Sequence, residues 1–436
     1  MIPILSSSQM READALAVAE SGSDALVAAA GTAVAFAAQS MLGYCYGARV
    51  AVLAGPGLNG ADGRVAAAWL RSRGAKVDVI DTATQPQELR GLHLVIDAAF
   101  GLGCSRPYEA PSVSGETLVL AVDLPSGVDS DTGEILGHPL SPDVTLALGA
   151  LKPAHVTGPA AAICGELRFA GLGIVADFED GLVEDHDLDA LVERHTSDHK
   201  WTHAIQVLAG STLMPGAADL VVRGALAAGA SMIRLTSRGD VAELIDLPAE
   251  VVRSDDSTIE KRSRCVVAGP GLGADAVEWL RERLADVTVP VVLDADGLDR
   301  SLIPSTTPDE RRWVLTPHEG EFVRLTGEPL PADRLEAVRA LARATGCVVL
   351  LKGATTLIAD RDGRVRVVRS GTPTLATAGS GDVLSGVIGA TIARGHDPLD
   401  AAALGAHLHG RAGASLPVYA SASDIPSALS DIIAAL

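Results

Sequence analysis

The pattern that most limits how this 436-residue chain can fold is a short β-branched run that meets glycine at its end and then turns helical. It occurs at Arg49-Val-Ala-Val-Leu-Ala54, followed at once by Gly55-Pro-Gly-Leu-Asn-Gly-Ala-Asp-Gly63 and a helical stretch over 64–73. It recurs at 266–268, with Gly269-Pro-Gly-Leu-Gly273 and a helix expected at 274–285. Strand, glycine-rich turn, helix and next strand (here 76–80) is the signature of a parallel sheet flanked by helices. The fold class is therefore expected to be α/β. In such sheets the reactive loops lie beyond the carboxyl ends of the strands.

Around this unit the first half continues with an Ala-rich helical stretch at 11–42 and buried strands at 92–98 and 117–122. The connection between those two strands carries Pro107, Pro111 and Gly115, which leaves little room for a crossover helix and predicts an extended loop. A polar, acidic segment at 176–199, with a short helix at 187–194, reads as the junction between two domains, 1–183 and 184–436. In the second half, strands are expected near 204–209, 231–236, 264–268, 289–294, 312–315 and 347–351. A hairpin follows at 355–360 and 365–370, then helices from Gly379-Ser-Gly-Asp382 through 392 and over 398–415.

Charge and cysteine usage exclude several functions. The formal charge is -20, and it divides evenly: 10 basic and 20 acidic side chains over 1–183, 25 and 35 over 184–436. With no basic stripe, neither a nucleic acid nor an anionic membrane is expected as partner. The five cysteines are isolated, so neither a zinc cluster nor a disulfide framework is expected. The first residues lack a basic start and a cleavage site, and the apolar stretch 25–38 reads as too short and Ala-rich to span a bilayer, so a cytoplasmic protein is expected. Only five lysines occur, at 76, 152, 200, 261 and 352.

Four segments of the second half carry chemistry. Thr377-Ala-Gly-Ser-Gly-Asp-Val-Leu-Ser-Gly386 puts backbone N–H groups and Asp382 at a helix start, a seat for phosphate oxygens with a carboxylate beside it. A plain helix start, with Asp favoured by the dipole, is the other reading. Lys352-Gly-Ala-Thr-Thr356 follows a strand and suits a nucleotide phosphate or ribose, or else ends a strand in solvent. Gly269-Pro-Gly-Leu-Gly273 permits close backbone approach to a ligand, or is a tight turn. His318 of Thr316-Pro-His-Glu-Gly-Glu-Phe322 either contacts a substrate or opens a helix.

Taken in order, with Val292-Leu-Asp-Ala-Asp-Gly297, these segments resemble the ADP-dependent NAD(P)H-hydrate dehydratases, a branch of the ribokinase-like fold, over 184–436. The resemblance implies dehydration of a nicotinamide cofactor hydrated at C6, driven by phosphorylation of that hydroxyl by ADP, with magnesium on the nucleotide. By position, Asp382 would activate the hydroxyl. Lys352, Gly353, Ala354, Thr355, Thr356, Gly379, Ser380 and Gly381 would bind the nucleotide. Ala217, Gly271, Gly273, His318 and Asp382 would contact the hydrated cofactor. Trp201, His203 and Ala378 stand where the family commonly has glycine. A vitamin-precursor kinase of the same fold, joined to a non-catalytic binding module, is the alternative.

The first half resembles NAD(P)H-hydrate epimerase, a Rossmann-like three-layer α/β/α domain often fused upstream of the dehydratase. The resemblance rests on the 55–63 segment, on Asp97-Ala-Ala-Phe-Gly-Leu-Gly103 and on Val122-Asp-Leu-Pro-Ser-Gly-Val-Asp129. It implies potassium at Asn59, Asp97 and Ser126. Substrate contacts would come from Leu58, Asn59, Gly60, Ala61, Asp62, Gly101, Leu102, Gly103, Arg106 and Asp123. Leu58 replaces a family Asn, Ala61 a family Gly, and the 99–117 connection is short, which leaves epimerisation open. The partners implied are small molecules and further copies of the chain.

Overall fold

The computed structural model describes the chain except residues 176, 193–195, 240, 242–243, 255–257 and 304–311. It forms two compact units, residues 2–179 and residues 180–436 together with Met1.

In the first unit, helices α1 (Ser7–Ser21) and α2 (Ser23–Leu42) precede β1 (Arg49–Ala54), α3 (Leu58–Ser72), β2 (Lys76–Asp81), β3 (Leu94–Ala98), β4 (Leu118–Val122), β5 (Val144–Leu148) and β6 (Glu166–Ala170). The strands pair in parallel in the order β6-β5-β4-β3-β1-β2. Side chains alternate across the pleat: Val50, Val52 and Ala54 face the α2/α3 side, while Ala51 and Leu53 pack with Leu89, Val95, Val119 and Leu140. That second face is covered by extended segments. No helix forms between β3 and β4, only the short strands Tyr108–Glu109 and Ser112–Val113, as the prolines there predict.

Two expectations change. The helical stretch at 11–42 breaks at Gly22, whose φ is +84°. And α3 begins at Leu58, not at residue 64, so most of the glycine-rich segment is helix rather than turn. Its glycines serve closeness: a Cβ on Gly60 would lie 2.0 Å from the Gly55 carbonyl oxygen, and one on Gly63 2.7 Å from Ala98 Cβ. Gly31 of α2 meets α3 in the same way, 2.4 Å from Val65 Cβ. Helix α2 also runs past the expected 25–38 span: its 20 residues are long and apolar enough to cross a membrane by length and composition. In the structure its Ala30, Val34, Ala35 and Ala38 are buried in the core beside β1 and β3.

The second unit holds β7 (Asp180–Leu182), β8 (Ala204–Ser211), α4 (Pro215–Ala227), β9 (Met232–Arg238), β10 (Val251–Arg253), β11 (Cys265–Ala268), α5 (Val277–Leu284), β12 (Val291–Leu293) and β13 (Trp313–Leu315). Then come α6 (Glu319–Thr326), α7 (Arg334–Thr345), β14 (Val348–Leu351), β15 (Thr356–Ala359), β16 (Val365–Val368), α8 (Ser380–Ala393), α9 (Pro398–Ser415) and α10 (Ile425–Ala435). The order is β7-β16-β15-β14-β13-β12-β11-β8-β9-β10, parallel throughout except for the β14-β15-β16 meander. The helix expected at 187–194 is a 3-10 turn over Asp185–Leu191; residues 193–194 of that expectation lie outside the described residues. Helix α8 is apolar on every side and buried from Val383 to Ala393, so it is a core helix. Gly386 lets it touch α4: a Cβ there would be 2.1 Å from Val221 O.

Candidate functional site

In the second unit the parallel strands end in a cluster of ionisable groups. Asp294, just past β12, is 1% exposed, and its Oδ1 accepts hydrogen bonds from Thr316 Oγ1 (2.8 Å) and Lys352 Nζ (2.9 Å). Glu321 lies 3.6 Å from the same ammonium. A Cβ on Gly381 would be 3.4 Å from Lys352 Nζ and 3.9 Å from Asp294 Oδ2. The lysine thus reaches from the end of β14 to the first turn of α8, where helix geometry leaves N–H groups without intrahelical acceptors. Burial works against its charge, but Asp294, Glu321 and Asp382 outweigh that and hold its pKa above the ordinary lysine value. Asp382 is the converse: burial first, then Asp294, pushes its carboxyl up to about 7, with Lys352 opposing. A carboxylate poised near neutrality beside a lysine and a helix N-terminus can take a hydroxyl proton while the fixed positive field holds phosphate.

The other expected residues of this unit fall as follows. Gly379, at φ +91°, is the N-cap of α8, and its Cα faces Leu220; a Cβ would lie 2.3 Å from Leu220 Cδ1. Ser380 donates its hydroxyl proton to Leu375 O at 2.7 Å, so no hydroxyl proton is left for a phosphate. Lys352 N–H donates to Pro317 O (2.8 Å), which ties Lys352-Gly-Ala-Thr-Thr356 to the neighbouring strand end; Gly353 and Ala354 are exposed. Gly271, at φ +64°, abuts Ala217, and Gly273 N–H donates to Asp296 Oδ2 at 2.8 Å. His318 caps α6: its Nδ1 accepts from Glu321 N–H (3.2 Å) while its own N–H donates to Glu321 Oε2 (2.9 Å). This helix-opening role places the imidazole proton on Nε2, on a side chain 59% exposed. Asp294, Thr316 and Glu321 were not singled out by sequence, although each sits inside a motif that was.

The first unit carries a cavity of about 450 Å³ beyond the strand ends. Of the expected residues, Leu58, Asn59, Asp62, Gly101, Leu102, Gly103 and Asp123 line it. Gly60, Ala61 and Arg106 are not among the lining residues: Gly60 is pressed on the Gly55 carbonyl, Ala61 is a helical residue of α3, and Arg106 is exposed. Asp123 is held at φ +64° by two buried residues that sequence reading did not assign. Lys152, 1% exposed, spends all three ammonium protons, on Asp123 Oδ1, Leu148 O (2.8 Å) and Ala150 O (3.0 Å). His155 Nδ1 accepts from Lys152 N–H (2.8 Å), so its Nε2 donates to Asp123 O (2.6 Å). Asp14 of α1, also unforeseen, lines the same cavity, and burial raises its pKa. Burial, then Asp123 and Asp14, pushes Asp62 up to about 7.

Asp97 is fully buried. Its Oδ1 accepts from Ser126 Oγ (2.6 Å) and its Oδ2 from Ser126 N–H (2.9 Å), while Asn59 turns its amide nitrogen to Val122 O (3.1 Å). Burial raises the Asp97 pKa against these hydrogen bonds, and among the described residues no cationic side chain pairs with it. A buried carboxylate without a cationic side-chain partner, beside Asn59 and Ser126, is chemistry that fits a cation.

Comparison with known proteins matches a separate family model to each unit. Residues 205–435 match the family model described as NAD(P)H-hydrate dehydratase, and residues 23–93 and 80–154 that of the YjeF-related protein N-terminus. The second unit is similar to a Bacillus subtilis ADP/ATP-dependent NAD(P)H-hydrate dehydratase co-crystallised with ATP and Mg2+: TM-score 0.52, 30% identity, covering 57% of this chain and 96% of that one. The bifunctional NAD(P)H-hydrate repair enzyme Nnr of Escherichia coli is 31% identical over 413 residues, 83% of this chain and 79% of that one. That of Mycobacterium leprae is 36% identical over 419 residues, 89% of this chain and 87% of that one. The chain belongs to the family of bifunctional NAD(P)H-hydrate repair enzymes.

Proposed function

We propose that the second unit dehydrates (6S)-NAD(P)HX to NAD(P)H at the expense of ADP, and that the first interconverts the 6R and 6S epimers. The observation that carries the dehydratase reading is the meeting of Asp382, Lys352 and the first turn of α8 at one point. Asp382 takes the C6 hydroxyl proton as the β-phosphoryl of ADP transfers to that oxygen, releasing AMP. Lys352 and the first-turn N–H groups hold the charge on the transferring phosphoryl. Phosphate then departs with the C–O bond electrons, pushed out by the ring-nitrogen lone pair, and the resulting iminium gives up its C5 proton to solvent, which restores the C5=C6 double bond of the dihydronicotinamide. Magnesium would come with the nucleotide and would offset the charge of its phosphates. Lys352, Gly353, Ala354, Thr355, Thr356 and the Gly379, Ser380, Gly381 backbone take the nucleotide; Ala217, Gly271, Gly273 and His318 take the hydrated ring.

In the first unit, inversion at a carbon bearing both a hydroxyl and a ring nitrogen passes through a planar carbon. It needs a group that gives and takes a proton near neutrality, and Asp62, beside Asp123, has that character. Potassium would be held by Asn59, Asp97 and Ser126, supplying a fixed positive charge. We place the enzyme in the cytoplasm as a homo-oligomer. The vitamin-precursor kinase is not favoured, because relatives at this identity are named repair enzymes. Supplying (6S)-NADHX with ADP and magnesium should restore absorbance at 340 nm, and Asp382→Asn should abolish it; no recovery with the unaltered protein overturns the dehydratase reading. Supplying only the 6R epimer without ADP tests the other half: no 6S product means that the first unit is not an epimerase.

A further inference from the structure

Asp294 is the least exposed carboxylate of the second site, and nothing in the reaction just described uses it. Four motifs converge on it. Its backbone rests on the first glycine of Gly269-Pro-Gly-Leu-Gly273: at φ +126°, a Cβ on Gly269 would be 1.9 Å from Asp294 O. Its Oδ1 is held by Thr316 Oγ1 at 2.8 Å and holds Lys352 Nζ at 2.9 Å, and its Oδ2 faces Gly381. Such a carboxylate, 1% exposed, would be costly to bury without its cation. A lysine head on a flexible stem, in turn, would not otherwise stay at one point against α8.

We propose that Asp294 is a positioning residue for phosphoryl transfer: anchored by Thr316 and seated by Gly269, it fixes the Lys352 ammonium against Gly381, where the transferring phosphoryl passes. This rests on the dehydratase reading and adds to it a residue that touches neither substrate. The titratable groups facing Lys352 and Asp382 are Asp294 and Asp296 beyond β12, Glu321 on α6 and the buried His409 of α9, whose pKa burial lowers to about 4.

The test is a double-mutant cycle on the full chain with (6S)-NADHX and Mg-ADP. Asp294→Asn should lower kcat about 10- to 100-fold, the cost of a misplaced group, with KM for the hydrated cofactor within about 3-fold of wild type. In a Lys352→Ala background the same change should cost less than about 3-fold, because its partner is gone. Since Asp294 also raises Asp382, the acid limb of the pH profile should move to lower pH in Asp294→Asn, which a general loss of structure would not produce. Thr316→Val, which keeps the buried charge pair and removes only the anchoring hydroxyl, should lower kcat in the same sense by a smaller factor and serves if Asp294→Asn does not fold. Multiplicative losses in the cycle, or an unchanged kcat in Thr316→Val and Asp294→Asn alike, overturn the positioning role. Absence of turnover in wild type overturns the dehydratase reading itself, and the proposal with it.

Discussion

At the scale of single residues, burial in both candidate sites shifts a carboxyl group to where proton transfer near neutrality is possible. For Asp382 this predicts that dehydratase kcat/KM rises through about pH 7, because the carboxylate is the active form. A limb near pH 4 would show that the group is solvated. Asp62 gives a stability prediction. Its pKa is raised from 3.8 to about 7 on folding, so the folded state binds the extra proton and stability falls as pH climbs between those values. Asp62→Asn should therefore stabilise the protein at pH 8, by about 1–3 kcal/mol, with the gain vanishing below about pH 4. Thermal unfolding at the two pH values reads this directly, and a gain of equal size at pH 4 would contradict it. Asp62 and Asp382 were legible as candidate site residues because each sits in a spaced motif. Asp14, Lys152 and His155 were not, since nothing local marks a residue whose partner is 109, 29 or 32 positions away.

At the scale of elements, glycine was read for what it permits in turns, and at several positions it works through close packing instead. Gly60→Ala should destabilise the protein by about 1–3 kcal/mol by driving a methyl into the Gly55 carbonyl. Ala61→Gly, one residue on, should cost about 0.5–1 kcal/mol, because Ala61 lies inside a helix. Chemical denaturation compares them; a stabilising Ala61→Gly would restore the loop reading of this segment. The strands expected from β-branched runs and the extended 99–117 connection expected from prolines followed from signals that act locally, whereas β5, β6, β7 and β10 were not expected. Nor was the early start of α3, because Leu58-Asn-Gly-Ala-Asp-Gly63 has weak helix propensity and is helical through its packing on β1 and β3.

At the scale of the whole molecule, a charge of -20 acts on substrates that are themselves anionic. The overall field repels ADP and the hydrated cofactor, whereas the binding field proposed above is local, from Lys352 and the α8 N-terminus. Raising ionic strength from about 10 to 150 mM, which shortens the screening length from about 30 to 8 Å, should therefore lower KM for ADP about 2-fold. A KM that rises instead would show that local attraction dominates the approach as well as the bound state.

The sequence alone determined the two α/β units, the order of their motifs and the family, because β-branched runs, glycines and motif spacing are written along the chain. Only the tertiary structure decided what stands behind each motif: Asp294 and Thr316 behind Lys352, Lys152 and His155 behind Asp123. The physical reason is that burial and Coulomb interaction depend on distance in space. Parallel sheets bring together at their carboxyl ends loops that sequence keeps tens of residues apart.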